Sequence, residues 1–188
     1  RAIQQRLLPP STLEGPGFAL AARCIAARRV GGDFYDVFHM EDGRLGLAVA
    51  DVAGKGMGAA LIMATAKAVV PLLATSADPA ATLSALNAML RKELGPREFV
   101  ALAFAVYDAA TGELRLSNAG LPDPYLLRPG EAPRALSCPG PRIPLGLRAE
   151  VPRETLRVDL APGDRVVFFS DGLPEAPRPG GEPLGYEA

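Results

Sequence analysis

The sequence predicts an α+β protein: antiparallel β-sheets with helices packed against a face. Three observations carry this reading. Apolar and polar residues alternate at strand period in two regions, each folded back by a tight turn such as Asp42-Gly43 or Thr111-Gly112. Between them lie two consecutive stretches of helical character, so strands and helices are segregated instead of alternating as βαβ units require. Twenty Gly and nineteen Pro among 188 residues make a turn-rich chain, which argues against a simple helical bundle.

Residues 2–8 read as the last turns of a helix stopped by Pro9-Pro10. Residues 1–10 are therefore expected to be the end of an upstream regulatory helix, and residues 11–188 a single domain. Residues 18–25 and 34–40 alternate as strands, and residues 45–52 follow the Asp42-Gly43 turn as an almost wholly apolar strand. Residues 59–73 are apolar on nearly every side, with Lys67 the lone charge; they predict a helix buried between layers, bent or ended by Pro71. Asp78-Pro79 supplies an N-cap and the favoured first-turn proline for a second helix, with Leu83, Leu86 and Leu90 along one face. Strands return at 99–107, 114–118, 125–127, 155–160 and 166–170. The Pro- and Gly-rich residues 173–185 predict a boundary or a disordered tail.

Composition excludes several function classes. Hydrophobic residues at 48% and charged residues at 22% match a folded core, not a disordered chain. With 20 basic and 21 acidic side chains, no positive excess exists to neutralise a nucleic-acid backbone. A single histidine, His39, argues against imidazole-rich zinc sites and Ser-His-Asp triads, and reads as a packed or edge-strand residue. Cys24 and Cys138 belong to no CxxC or Cys/His cluster and read as free thiols in a reducing compartment. The most apolar window, residues 58–74, is interrupted by Lys67 and Pro71, so no membrane insertion is expected and the chain reads as cytoplasmic.

The chemistry-bearing residues are acidic and recur where strands run out into glycine turns. Gly31-Gly32-Asp33-Phe34-Tyr35-Asp36 sets two carboxylates beside a glycine pair, Asp51 ends an apolar strand before Gly54-Lys55-Gly56, and Ser170-Asp171-Gly172 repeats the arrangement. One Asp-Gly pair alone reads as a turn cap. Three at strand ends point instead to poorly solvated carboxylates that need a cation, and hard divalent ions want several such oxygens. After Asp51, Gly54, Gly56 and Gly58 lead into the first helix, so backbone N–H groups at its start would face an anion. Ala53-Gly54-Lys55-Gly56 is not a nucleotide-binding loop, because the required first glycine and the Ser/Thr after Lys are missing.

Six ordered segments carry a specific resemblance: IQQRLLP at 3–9, VGGDFYDVF at 30–38, LAVADVAGKGMGAALIMA at 47–64, FVALAFAVYDAATGELRLSNAG at 99–120, PLGL at 144–147 and GDRVVFFSDGLPEA at 163–176. Together they resemble the SpoIIE branch of the PPM family, the metal-dependent serine/threonine protein phosphatases of bacteria. The resemblance implies two packed antiparallel β-sheets flanked by helices, an αββα sandwich with two Mn²⁺ or Mg²⁺ ions at one end. It assigns metal-holding and catalytic roles to Asp33, Asp51 and Asp171, adds the backbone carbonyl of Val52, and leaves Asp36 as a further candidate. Lys55, with Gly54 and Gly56, becomes a candidate for contact with the substrate phosphate.

Two cations would then activate a water for in-line attack on phosphorus, with no side-chain nucleophile needed. The implied substrate is phosphoserine or phosphothreonine on a regulatory protein, a STAS-type anti-sigma-factor antagonist, under an upstream sensor domain and with homodimerisation as an option. The pattern departs at Leu121, where relatives often carry His, and the chain stops at Ala188 before an Asp-Asp-x-Thr-like strand that brings another ligand. The domain is therefore expected to be C-terminally incomplete, and the alternative reading is a degenerate, non-catalytic scaffold of the same fold that binds a signalling partner.

Overall fold

A computed structural model of the chain describes residues 6–25, 31–54 and 56–186. The chain opens with a hairpin, β1 (Thr12–Gly15) paired antiparallel with β2 (Phe18–Ala21) around Pro16-Gly17. The central sheet is five-stranded and antiparallel in every pairing: β3 (Phe34–His39), β4 (Leu45–Val52), β5 (Val100–Asp108), β6 (Glu113–Ala119) and β9 (Leu156–Asp159), in that spatial order. A three-stranded sheet, β10 (Arg165–Val167), β7 (Tyr125–Leu127) and β8 (Arg134–Ala135), forms the second layer. Between β4 and β5 run α1 (Met57–Leu73) and α2 (Pro79–Glu93). The two antiparallel sheets and the helical pair are the predicted architecture.

Strand alternation sorts the core into two halves. Toward the helices, Phe34, Ala50, Val52, Leu102, Phe104 and Val106 pack with Met63, Val70, Leu83, Leu86 and Leu90. Toward the small sheet, Ala101, Ala103, Ala105, Leu114 and Leu116 pack with Leu126, Leu136 and Cys138. Strand β5 is thus buried on both faces, with large side chains under the helices and alanines under the small sheet, which lets the second layer approach closely.

The helices begin and end for local reasons. Asp78 caps α2 by accepting from the N–H of Ala80, and Pro79 stands at its start, as predicted. Pro71 lies in the last turn of α1, where its missing N–H removes the bond to the carbonyl four residues earlier, and the helix runs on to Leu73. Four expectations need correction. Helix α1 is not buried between layers: Ala59, Met63, Ala66 and Val70 face the sheet, but Met57, Leu61 and Leu72 are 71%, 63% and 73% exposed among the described residues. The strand expected over 166–170 stops at Val167, since its partner β7 is three residues long. The one expected over 18–25 ends at Ala21, where its partner β1 ends. Residues 173–185 are not a disordered tail but a turn-rich loop closed by backbone bonds from Leu184 N–H to Ala176 and from Gly185 N–H to Pro174.

Of the entering segment, residues 6–7 are helical, Leu8 packs on the helix-side core, and the hydroxyl of Tyr35 donates to the Pro9 carbonyl at 3.0 Å. Residues 1–5 lie outside the described part.

Candidate active site

Three of the predicted acidic residues, Asp33, Asp51 and Asp171, lie toward one end of the central sheet. Phe34 is registered opposite Ala50, which sets Asp33, just before β3, beside Asp51 near the end of β4. Gly32 makes this approach possible: a Cβ on it would lie 2.5 Å from the Val52 carbonyl oxygen and 3.1 Å from the Val52 Cβ. Asp171 arrives from the second sheet. The ring of Phe169 stacks on Tyr125 of β7 at 6.1 Å, and the Ser170 hydroxyl donates to Asp33 Oδ2 at 3.0 Å.

The electrostatics record the convergence. The Asp51 carboxyl is pushed up to about 7, first by burial, then by the charge of Asp33 and a hydrogen bond shared with it, then by the charges of Asp171 and Glu175. Among the described residues no Lys or Arg forms an ion pair with Asp33, Asp51 or Asp171. Burial, followed by the Asp33 charge, also raises the thiol of Cys24, whose Sγ lies 3.8 Å from the Asp33 carbonyl. Among the described residues this is negative charge without a paired cation, on hard oxygen donors, the chemistry that suits Mg²⁺ or Mn²⁺. Among the described residues, however, no three Asp, Glu, His or Cys side chains stand close enough together to form a metal-holding set.

Other predicted residues divide. Asp36 is not in the cluster. It is buried on the helix side of β3, where Oδ1 meets Lys67 Nζ at 2.7 Å. Gly54 and Gly56 follow Asp51 with φ of 112° and 83°, and Gly56 is the N-cap of α1 with no side-chain cap, so the first-turn N–H groups of α1 have no side-chain acceptor there. Lys55 lies outside the described residues. Parts of two other resemblance motifs, the segment around Pro144–Leu145 and the turn after Asn118, lie at the same end of the sheet. Leu145 exchanges both backbone bonds with Val100, and Gly120, with φ of 99°, passes against Pro144. Asn118 holds the turn after β6 by bonding both the N–H and the carbonyl of Leu121 at 2.9 Å.

Sequence reasoning missed Ser170 and Glu175. Ser170 stood in the quoted Ser-Asp-Gly segment, but only the fold shows that it reaches Asp33. Glu175 follows Asp171 by one turn, its N–H bonded to the Asp171 carbonyl at 2.9 Å.

With this geometry established, comparison with known proteins is specific. A family model described as Stage II sporulation protein E (SpoIIE) matches residues 41–188. The phosphoserine phosphatase RsbU of Bacillus subtilis is 28% identical over 175 residues, covering 92% of this chain and 51% of RsbU. Among solved structures, the SiaA-PP2C domain of Pseudomonas aeruginosa superposes with a TM-score of 0.71 at 28% identity, over 84% of this chain and 63% of that one. The structure of the RsbU and RsbW domains of Rv1364c from Mycobacterium tuberculosis gives a TM-score of 0.69 at 28% identity, over 85% of this chain and 43% of that one. The chain spans about half the length of RsbU, and 34% of the length of Protein IcfG of Synechocystis sp., to which it is 27% identical.

Proposed function

The chain belongs to the SpoIIE family, and on that footing we propose that it is the catalytic domain of a metal-dependent protein phosphatase acting on phosphoserine or phosphothreonine. The observation that carries the reading is the Asp51 carboxyl, pushed up to about 7 among the acidic side chains of Asp33, Asp171 and Glu175 with no cation of the described residues paired to the three aspartates.

Asp33, Asp51 and Asp171, with the Val52 carbonyl, would hold two Mn²⁺ or Mg²⁺ ions. When bound, such ions supply Lewis acidity and a water of lowered pKa for attack at phosphorus. The protein's own part is placement. Ser170 orients Asp33, Gly32 lets the Asp33 loop lie against Val52, and the strand end of β4 presents Asp51 on a rigid support. The uncapped start of α1 with Gly54 and Gly56, helped by Lys55, would receive the phosphoryl oxygens.

The substrate we favour is a phosphorylated STAS-type anti-sigma-factor antagonist in the cytoplasm. Similarity to a phosphoserine phosphatase, and to a protein in which RsbU and RsbW domains share one chain, supports that choice. No helix among the described residues is long and apolar enough to cross a membrane. The test is Mn²⁺-dependent phosphate release from a phosphoserine STAS protein by the full-length parent, with Asp51→Asn expected to lower the rate at least about a hundredfold. An Asp51→Asn protein as active as the wild type would overturn the mechanism.

One observation favours a second reading, a non-catalytic scaffold: the acidic side chains do not close into a metal-holding set among the described residues. Calorimetry separates the two. A scaffold takes up no Mn²⁺, and the phosphatase takes up Mn²⁺ in a manner lost in Asp51→Asn.

A further inference from the structure

Helix α1 contains one charged residue among seventeen, and that residue is not in solvent. Lys67 Nζ lies 2.7 Å from Asp36 Oδ1, with side-chain exposures of 15% and 7%. Asp36 Oδ1 also accepts from the Val37 N–H at 3.0 Å. Removing two charges from water is costly, and apolar residues of similar volume generally serve stability as well or better. A buried pair is therefore weak as a stability device, and its geometry shows what else it does.

Toward the core α1 packs Ala59, Met63, Ala66 and Val70, with Ile62, Val69 and Leu73 partly buried against the same core, and its two buried alanines offer little relief to interlock along the helix axis. The Lys67–Asp36 bond is directional and joins α1 to β3 at one register. Its two ends stand on the elements that adjoin the two halves of the acidic site. Asp36 lies three residues after Asp33, and α1 is the direct continuation of the turn that follows Asp51.

We propose that Lys67 and Asp36 are positioning residues: their ion pair fixes where α1 sits on β3, and so holds the Gly54–Gly56 turn and the Asp51 end of β4 against the Asp33 loop. The pair touches neither substrate nor the acidic cluster and acts through the helix. The catalytic side of the inference rests on the phosphatase reading; the structural side does not.

The experiment pairs Asp36→Leu with Lys67→Met, so that no lone charge is left buried, and compares this double variant with wild type and with Lys67→Arg. Two readouts are taken on the full-length parent: amide hydrogen exchange over residues 53–60, and Mn²⁺-dependent hydrolysis of a phosphoserine peptide. In the double variant, exchange at Ala53 and Ala60 rises about tenfold or more while β5 stays protected. Turnover falls roughly ten- to a hundredfold at unchanged melting temperature, with KM for the peptide little altered. Lys67→Arg keeps the pair and stays near wild type in both. Wild-type exchange over 53–60 in the double variant overturns the proposal. So does loss of cooperative unfolding in that variant, since the pair would then serve stability. A wild-type protein that hydrolyses nothing removes the phosphatase reading and leaves exchange to decide this one.

Discussion

The hydroxyl of Ser170 donates to Asp33 Oδ2 at 3.0 Å, across 137 positions of chain. It joins a loop leaving the small sheet to the turn that opens the central one, and it is the direct bond by which the Asp171 segment orients a carboxylate of the site. Ser170→Ala is expected to cost about 1–3 kcal/mol of stability, the range for one part-buried bond to a carboxylate. It should also raise the Mn²⁺ concentration for half-maximal activity severalfold; a metal titration of activity in the two proteins checks both arms, with melting curves alongside.

The pH dependence of the metal-free protein follows from Asp51. Its carboxyl titrates at about 7 in the folded chain, against an ordinary value of 3.8. The folded state therefore keeps a proton that the unfolded state releases. The associated stability is fully present below about pH 4 and is lost as pH rises through 7. Asp51→Asn removes that loss. In chelator at pH 8 the variant should be more stable than wild type by about 1–2 kcal/mol, after allowing for the screening of a half-exposed carboxyl. Melting curves from pH 4 to 8 measure it, and parallel curves for the two proteins would refute the assignment.

At the other end of the scale, Asp164 titrates at about 2, held down first by the Arg128 guanidinium and then by the Ala161 N–H. Its side chain is 1% exposed. The stability it contributes is present above pH 4 and lost as pH falls from about 4 to 2. Asp164→Asn should be less stable than wild type at pH 7 and should lack the wild type's acid step, as acid titration followed by circular dichroism would show.

Two glycines make a contrasting pair. Gly32→Ala drives a methyl to 2.5 Å from the Val52 carbonyl oxygen, expected to cost about 1–3 kcal/mol and to abolish activity by pushing the Asp33 loop outward. Gly58→Ala, in the first turn of α1 with nothing within 4 Å, is expected to stabilise by about 0.5–1 kcal/mol. Chemical denaturation of both variants gives the comparison.

How far the sequence reads the fold depends on how local each signal is. Strand β4 and helix α2 are predicted closely because Asp42-Gly43 and Asp78-Pro79 mark their starts within a few residues. Strands β1 and β8, four and two residues long, carry no periodicity to detect and exist through their partners. The outer face of α1 is as apolar as its inner one, so composition alone assigns it to a core. In the site, motif order identifies Asp33, Asp51 and Asp171, and the fold brings them together. Asp36, the further candidate beside Asp33 in the sequence, stands at an odd offset of three along extended chain and so on the opposite face, where Lys67 meets it. Ser170 owes its role to a bond across most of the chain, which no local pattern encodes, and Glu175 joins the site through the turn it shares with Asp171.

Because its parts come from positions 33, 51 and 170–171, the acidic cluster exists only after both sheets have closed on one another. During synthesis the two early aspartates leave the ribosome long before the loop that completes them. A nascent chain carries the two early carboxylates, and none of the geometry that joins them to the Ser170–Asp171 loop, until that loop has emerged.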